Sequence, residues 1–160
     1  MACVTAMRDD PAATRRALRD VDLTVIPVWA RHLGHGCEVL EGWAAARLGD
    51  ADGPRRALAA LDRLEPVSTL VARSYVRTMA GAALLHHDDP RALDVLARAH
   101  REAVERGEVW WLAETLRVRS QAERRFGDAG VADTLRAEAV RVANEQGARL
   151  LVERLAAASN

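Results

Sequence analysis

The sequence predicts an all-α fold, a right-handed α-solenoid built of antiparallel helix pairs. The first observation is a turn signal, Asp-Asp or Gly-Asp, whose last Asp recurs at positions 10, 50, 89 and 128, which are 40, 39 and 39 residues apart. The second is the amphipathic helical periodicity of the segments between these turns. The third is a composition with 49% apolar but only 4% aromatic residues, which favours helix–helix packing over a sheet. A fixed period of about 20–50 residues is typical of stacked helical repeats.

Length and period together predict how the chain is organised. At 160 residues it is expected to form one helical-repeat domain, 1–160, that is large enough to bury a core. The recurring turn divides this domain into a partial first repeat, three full repeats and a terminal helix. Their expected ranges are 1–20, 21–65, 66–106, 107–147 and 148–160.

The first half of the chain carries clear helix start signals. Asp10 is expected to cap a helix that has Pro11 at its first position, after the end of an earlier helix at 2–8. A long helix is predicted over 24–48. Glycines inside it each cost about 1 kcal/mol relative to Ala, so we expect them to permit close approach of a neighbouring helix. These glycines are Gly34, Gly36 and Gly42.

The middle of the chain continues the pattern of helix pairs. Gly53 and Pro54 are expected to start a helix that ends near Glu65. The next helix is predicted from Pro66 to about His87. In the stretch His86-His87-Asp88-Asp89, we interpret the histidines as a helix end, where they suit the helix dipole, and Asp89 as the following N-cap. The helix after Asp89 is expected to run to Arg106.

The last third shows the unit most clearly. In the helix predicted over 110–126, Trp111 joins the apolar side, whereas Trp110 falls on the polar side. Gly127 is expected to end this helix in the left-handed conformation, with Asp128 capping the next one. Gly147 ends that second helix, and a short helix at about 148–158 follows.

Motifs in this last third resemble the C-terminal repeat region of large ATP-dependent bacterial regulators. These are the MalT-like, LuxR-type transcription activators and related signalling proteins, and the unit length resembles tetratricopeptide repeats in a lengthened form. The resemblance rests on Gly107, Trp110, Trp111, Ala113, Glu114, Leu116, Arg117, Arg119, Gly147, Ala148, Arg149 and Leu150. The spacing of the repeats is similar over most of the chain, whereas the residue motifs are similar only over about its last third.

The resemblance implies a sensor or protein-interaction arm of a transcriptional regulator. The ATPase motif G-x-x-x-x-G-K-[ST] of such proteins is absent, because this chain contains no Lys. No DNA-reading helix-turn-helix is identifiable either. We therefore expect an arm without effector domains, in which the chain starts partway through a repeat.

Two groups of residues are candidate partner-binding sites. Trp110 lies beside Glu114 and Arg117 on the polar side of its helix, as is typical of an interface hot spot. Alternatively, Trp110 is covered by the helix that ends at Arg106. The second group, which we place on the concave side, consists of Arg73, Tyr75 and Arg77.

Other polar groups favour structural interpretations. His32, His35, Cys37 and Glu38 suggest a metal, but on a helix Cys37 lies about 160° from His32, so no metal site is expected. We interpret Arg119 and Glu123, spaced i,i+4, as an internal ion pair, with a ligand-facing groove as the alternative. No nucleophile elbow or convergent carboxylate pair is visible, so neither an enzyme nor a cofactor is expected.

Charge and cysteine content limit the partners. The 23 basic and 23 acidic residues balance, so we expect no direct nucleic-acid partner, and no apolar run is long enough to cross a membrane. Cys3 and Cys37 are expected to be free thiols of a cytoplasmic protein without a signal peptide. The predicted function is a non-catalytic scaffold that binds a protein or peptide, or a second copy through its N-terminal edge. The alternative is a sensor module that binds a small ligand.

Overall fold

The computed structural model describes residues 2–19, 21, 31–65 and 72–157, and within these ranges the chain forms helices and turns but no strand. The predicted all-α class is therefore confirmed. None of the described helices combines the length and the apolar character that a membrane span requires. In chain order, the helices of the described ranges are α1 (Ala2–Met7), α2 (Pro11–Arg19), α3 (Arg31–Arg47), α4 (Gly53–Leu64), α5 (Arg73–His86), α6 (Ala92–Glu105), α7 (Val109–Phe126), α8 (Ala129–Glu145) and α9 (Arg149–Ala157).

The helices group into two compact units. Unit 1 comprises Met1–Val71 and Ala82–Asp89, and unit 2 comprises Ala72–Gly81 and Pro90–Asn160. Helix α5 therefore contributes its first part to unit 2 and its second part to unit 1. Within unit 1, α3 packs against α2 and α4; within unit 2, α7 packs against α6, α8 and α9.

The first three acidic turns share one backbone geometry, which follows α1, α3 and α5. In each, the Asp that ends the Asp-Asp or Gly-Asp signal donates its N–H to the carbonyl five residues earlier, as in a Schellman motif. These bonds join Asp10 to Thr5, Asp50 to Ala45 and Asp89 to Leu84, at 3.0, 3.0 and 3.1 Å. The residue before each donor adopts the left-handed conformation, with φ of 58° at Asp9, 90° at Gly49 and 55° at Asp88.

A second set of turns joins one helix pair to the next in unit 2. Gly107 and Gly147, 40 residues apart, follow α6 and α8 with φ of 63° and 64°. The left-handed conformation expected at Gly127 is wrong, because its φ is −122°. The following helix is nevertheless capped as predicted, since the Asp128 side chain accepts a hydrogen bond of 2.9 Å from the N–H of Val131.

One predicted helix is interrupted, and one helix start differs from expectation. The helix predicted from Pro66 to about His87 is not continuous, because Ala72 has a φ of 67° and cannot belong to a right-handed helix; α5 begins directly after it, at Arg73. Helix α6 begins at Ala92, and its N-cap is Arg91 rather than Asp89. The expected starts at positions 24 and 66 lie outside the described residues.

Unit 1 is held together by close packing of α3 on α4 and by polar contacts of α1. A Cβ atom added to Gly42 would lie 2.7 Å from the backbone nitrogen of Ala57, so the two helix backbones nearly touch there. The close approach predicted for Gly42 is therefore confirmed. Arg47 of α3 donates to both carboxylate oxygens of Asp9, at 2.8 and 3.3 Å, which fixes the turn after α1.

Helix α7 in unit 2 is buried on two sides, whereas the sequence pattern indicated one apolar side. Ala113 and Leu116 pack with the apolar side chains of α8 and with Leu155 of α9. Thr115 faces α5 instead, and its hydroxyl lies 2.8 Å from that of Thr78. Full burial of a side chain such as Leu116 stabilises the folded state by about 1.5–3 kcal/mol.

Candidate interaction surface

The start of α7 is anchored by a buried carboxylate. Glu108, at the N-cap position, accepts hydrogen bonds from the backbone N–H of Ser74 at 3.0 Å and from Arg106 Nε at 2.6 Å. Burial acts to raise the pKa of Glu108, but the hydrogen bonds from Ser74 and Arg106 outweigh it and hold that pKa below its ordinary value. Glu108 thereby ties the first turn of α7 to the first turn of α5.

This anchored first turn presents one tryptophan to solvent and one to the interior. The side chain of Trp110 is 78% exposed, which answers the alternative in which the preceding helix covers it. The ring of Trp111 lies 4.7 Å from that of Tyr75, tilted by 31°, and Tyr75 is only 1% exposed. The predicted exposure of Trp110 is confirmed, whereas Trp111 is half-buried against Tyr75.

A second exposed apolar side chain occupies the equivalent position one repeat later. Trp110 is the third residue after Gly107, and Leu150, which is 48% exposed, is the third residue after Gly147. One turn further along each helix, Arg154 Nη2 lies 3.6 Å from Glu114 Oε1, so α7 and α9 are in contact through the second turn of each. We call the exposed side chains of Trp110 and Leu150 the apolar ridge.

The charged residues predicted to bind beside Trp110 are largely covered. Arg117 makes a bidentate pair with Glu114, with both N–O distances at 2.8 Å, and the two side chains are only slightly exposed. Glu114 also contacts Arg154 of α9. Glu114 and Arg117 therefore connect helices beneath the apolar ridge, and Trp110 is the accessible member of the predicted group.

The surface position expected for Arg73, Tyr75 and Arg77 is wrong, because all three side chains are buried in unit 2. Arg77, 3% exposed, donates from Nε and Nη2 to the two carboxylate oxygens of Glu102 at 2.9 and 3.0 Å. Arg73 Nε lies 3.5 Å from the same carboxylate. Two guanidinium groups thus share one buried carboxylate of α6.

Sequence reasoning missed Glu102, Glu108, Leu150 and Arg154 as members of this region. The 40-residue offset between Gly107 and Gly147 carries the signal for two of them, because it aligns Leu150 with Trp110 and Arg154 with Glu114. Glu102 and Glu108 have no such signal, since their partners lie 25 and 34 residues away on other helices.

The histidines considered as metal ligands have other contacts. His35 Nδ1 lies 3.3 Å from Glu38 Oε2, and Arg63 of α4 donates to both residues. Within the described ranges, no three His, Cys, Asp or Glu side chains are grouped as a metal ion would require. His87, just after α5, lies 3.2 Å from the backbone oxygen of Ala46 in unit 1. Val4 and Met7 of α1 are exposed, and self-association through this N-terminal edge stays a prediction.

The predicted ion pair inside unit 2 is confirmed and includes a histidine. Arg119 Nη2 lies 3.6 Å from Glu123 Oε1, and Arg119 Nη1 lies 2.7 Å from His100 Nδ1. Because a guanidinium only donates, Nδ1 of His100 must accept, and this contact requires the neutral imidazole. Burial, followed by the charge of Arg119, lowers the pKa of His100, whereas the charge of Glu138 acts to raise it.

Acid is therefore expected to destabilise unit 2 through His100. With its pKa lower in the folded state than in the unfolded state, the stabilisation is complete above about pH 6.5, the ordinary His pKa, and is lost as pH falls through the window below it. Urea unfolding followed by circular dichroism between pH 7.5 and 5 measures this loss. The His100→Gln variant is expected to show a shallower decrease in stability over this range. Parallel pH profiles of the variant and the natural protein would contradict the assignment.

Comparisons of the chain with protein-family models, with curated proteins and with solved structures find no match.

Proposed function

We propose that this protein is a non-catalytic scaffold that binds a protein or peptide through the apolar ridge. The exposed side chain of Trp110 is the observation that carries the proposal. Tryptophan buries a large area when a partner covers it and is enriched among residues that dominate interface energies. Leu150 on the neighbouring turn extends the apolar surface, so the occupant we propose is a segment with at least two apolar anchors.

The proposed architecture is a right-handed α-solenoid of tetratricopeptide-like helix pairs. The repeated Schellman turns after α1, α3 and α5, and the repeated glycine turns after α6 and α8, support it. In such an array each pair covers the apolar side of the next, and one side is left for partners. Within unit 2, the ridge repeats at the 40-residue spacing that this arrangement requires.

The resemblance to LuxR-type regulators leads us to propose that the chain acts in the cytoplasm as the sensor or interaction arm of a bacterial transcriptional regulator. The motif around Trp110 and the motif around Gly147 carry that resemblance, and both border the apolar ridge. An ATPase or DNA-binding segment in frame with this chain in its gene would support the proposal. A stop codon directly before Met1 would contradict it.

Replacing Trp110 with Ala is expected to weaken peptide binding by about tenfold or more, since a hot-spot residue contributes about 2 kcal/mol or more. The probe is a peptide selected from a random displayed library on the purified natural protein. Fluorescence polarisation of the labelled peptide gives its Kd for each variant. The peptides are expected to contain paired apolar residues that contact Trp110 and Leu150.

The matched control is Val131→Ala, which removes another exposed apolar side chain of unit 2, on α8. This variant is expected to keep the affinity within about twofold, since surface changes away from the site have small effects. Leu150→Ala is expected to weaken binding of the same peptide that Trp110→Ala weakens. Peptides that bind Trp110→Ala as tightly as the natural protein would contradict the proposal.

A second candidate function, a sensor for a small ligand, is favoured by one observation in unit 1. A groove of about 320 Å³ lies between α2, α3 and α4, at the lower end of the volumes typical of ligand sites. It shares no residue with the apolar ridge, so the two candidate functions can be tested separately.

A further inference from the structure

The groove in unit 1 combines an apolar lining with a charged rim. Leu18 of α2, Cys37 of α3 and Ala59 of α4 contribute apolar surface to its volume of about 320 Å³. Helix α4 adds three arginines, whereas α3 adds two glutamates. These lining residues are Arg55, Arg56, Arg63, Glu38 and Glu41.

The two glutamates of the groove already accept from arginines. Arg63 donates to Glu38, and Arg15 Nε lies 3.1 Å from Glu41 Oε1. Arg55 is mostly exposed and lies 3.2 Å from Asp52. The lining carries three guanidinium groups against two carboxylates, and this excess of positive charge favours an anionic ligand.

Arg56 lines the groove with a side chain that is 40% exposed. Its Nη2 donates to Asp50 Oδ2 at 2.8 Å, which holds the guanidinium in place. Its Nε is covered, and the carboxylate oxygen of Glu41 lies 3.7 Å from it. A ligand oxygen in the groove would therefore approach the exposed side of this guanidinium.

We infer that this groove binds a small carboxylic acid with an apolar body, whose carboxylate accepts from the exposed side of the Arg56 guanidinium and whose body contacts Leu18, Cys37 and Ala59. A guanidinium is the donor best suited to a carboxylate, because the bond is charge-assisted. The inference specifies the ligand class of the second candidate function and therefore rests on it. It is independent of the apolar ridge, since every residue involved belongs to unit 1.

Cys37 provides a reporter inside the groove. The chain has two cysteines, and Cys3→Ser leaves Cys37 as the single thiol. Burial raises the pKa of Cys37, so the thiol is expected to react slowly with a disulfide reagent near pH 8. A ligand that fills the groove is expected to slow this reaction further, because it covers the thiol.

The experiment titrates Cys3→Ser protein with octanoate, octan-1-ol or acetate and follows both the reaction of Cys37 with 5,5′-dithiobis(2-nitrobenzoate) and the heat of binding. Saturating octanoate is expected to slow the reaction about tenfold or more and to give a calorimetric isotherm. Octan-1-ol lacks the carboxylate and acetate lacks the apolar body, so each is expected to bind at least about tenfold more weakly.

Two variants of the Cys3→Ser protein test the assigned contacts, with far-UV circular dichroism and Tm confirming that each is folded. Arg56→Gln removes the guanidinium and its charge and is expected to weaken octanoate binding about tenfold or more. Ala59→Leu narrows the groove without changing its charge and is expected to weaken octanoate binding by a similar factor. This second variant still tests the inference if Arg56→Gln does not fold. The matched control is Arg124→Gln, which makes the same exchange at an exposed arginine of α7 in unit 2. It is expected to leave octanoate binding unchanged.

Three results would overturn the inference. Equal binding of octan-1-ol would leave a small-ligand site but exclude the carboxylate contact. Unchanged octanoate affinity in both groove variants would place the ligand elsewhere. Absence of both heat and thiol protection with all three probes would argue against the second candidate function as well as against the ligand class.

Discussion

Replacing Glu102 with Leu is expected to lower the free energy of unfolding of unit 2 by about 3–5 kcal/mol, because it leaves Arg77 and Arg73 buried without the carboxylate they share. Leu keeps the helix propensity of α6 and a similar volume, so the loss of the carboxylate dominates. Urea unfolding followed by far-UV circular dichroism measures the change. Removing one member of a buried charged group costs more than the group contributes, because the remaining charges are not solvated.

Glu105→Leu makes the same exchange at an exposed position of α6 and serves as the control. It is expected to change the free energy of unfolding by less than about 0.5 kcal/mol. The double variant Glu102→Leu with Arg77→Met is expected to recover part of the loss, because it replaces the paired charges with apolar groups. A loss below about 1 kcal/mol in Glu102→Leu would show that the buried pairs do not stabilise unit 2.

Replacing Gly42 with Leu is expected to lower the free energy of unfolding of unit 1 by about 3 kcal/mol or more, or to prevent its folding. A Cβ atom at this position would lie 2.7 Å from the nitrogen and 2.9 Å from the Cα of Ala57. Both are backbone atoms, so no side-chain rotation relieves the overlap and α3 must move away from α4. Thermal and urea unfolding of the variant measure the effect.

Gly42→Ala provides a milder test if the Leu variant does not fold. Ala gains about 1 kcal/mol of helix propensity, but overpacking costs about 1–3 kcal/mol, so a net loss is expected. Gly130→Ala, on the exposed first turn of α8, meets only a side-chain oxygen of Asp128 at 3.1 Å and is expected to change stability by less than about 1 kcal/mol. A Gly42→Ala protein more stable than the natural one would contradict the close-contact interpretation.

The turns were the most predictable part of this protein. The turns at Asp9-Asp10 and Gly49-Asp50 end and start helices where the pattern indicated, because capping and left-handed turn residues act over five or six neighbours. The start of α5 could not be predicted. Ala72 has a positive φ that its residue type does not signal, since Ala adopts this conformation rarely.

The candidate site was predictable only where one face of a helix decides exposure. The helical wheel separated Trp110 from Trp111 because their directions differ by about 100° along α7. It failed for Arg73, Tyr75 and Arg77, because every residue of α5 from position 73 to 81 is buried and no polar side exists. A wheel assigns polar residues to solvent and cannot recognise a buried carboxylate on another helix.

The sequence by itself determined the helical class, the 39- to 40-residue spacing of the turns and the positions where most helices begin and end. These features depend on local chemistry, namely helix periodicity, caps and glycine. Only the tertiary structure decided that two arginines share Glu102, that Arg154 of α9 contacts Glu114 of α7 and that Arg56 lines a groove with Glu38 and Glu41. Those relations join residues tens of positions apart, and packing between helices alone brings them together.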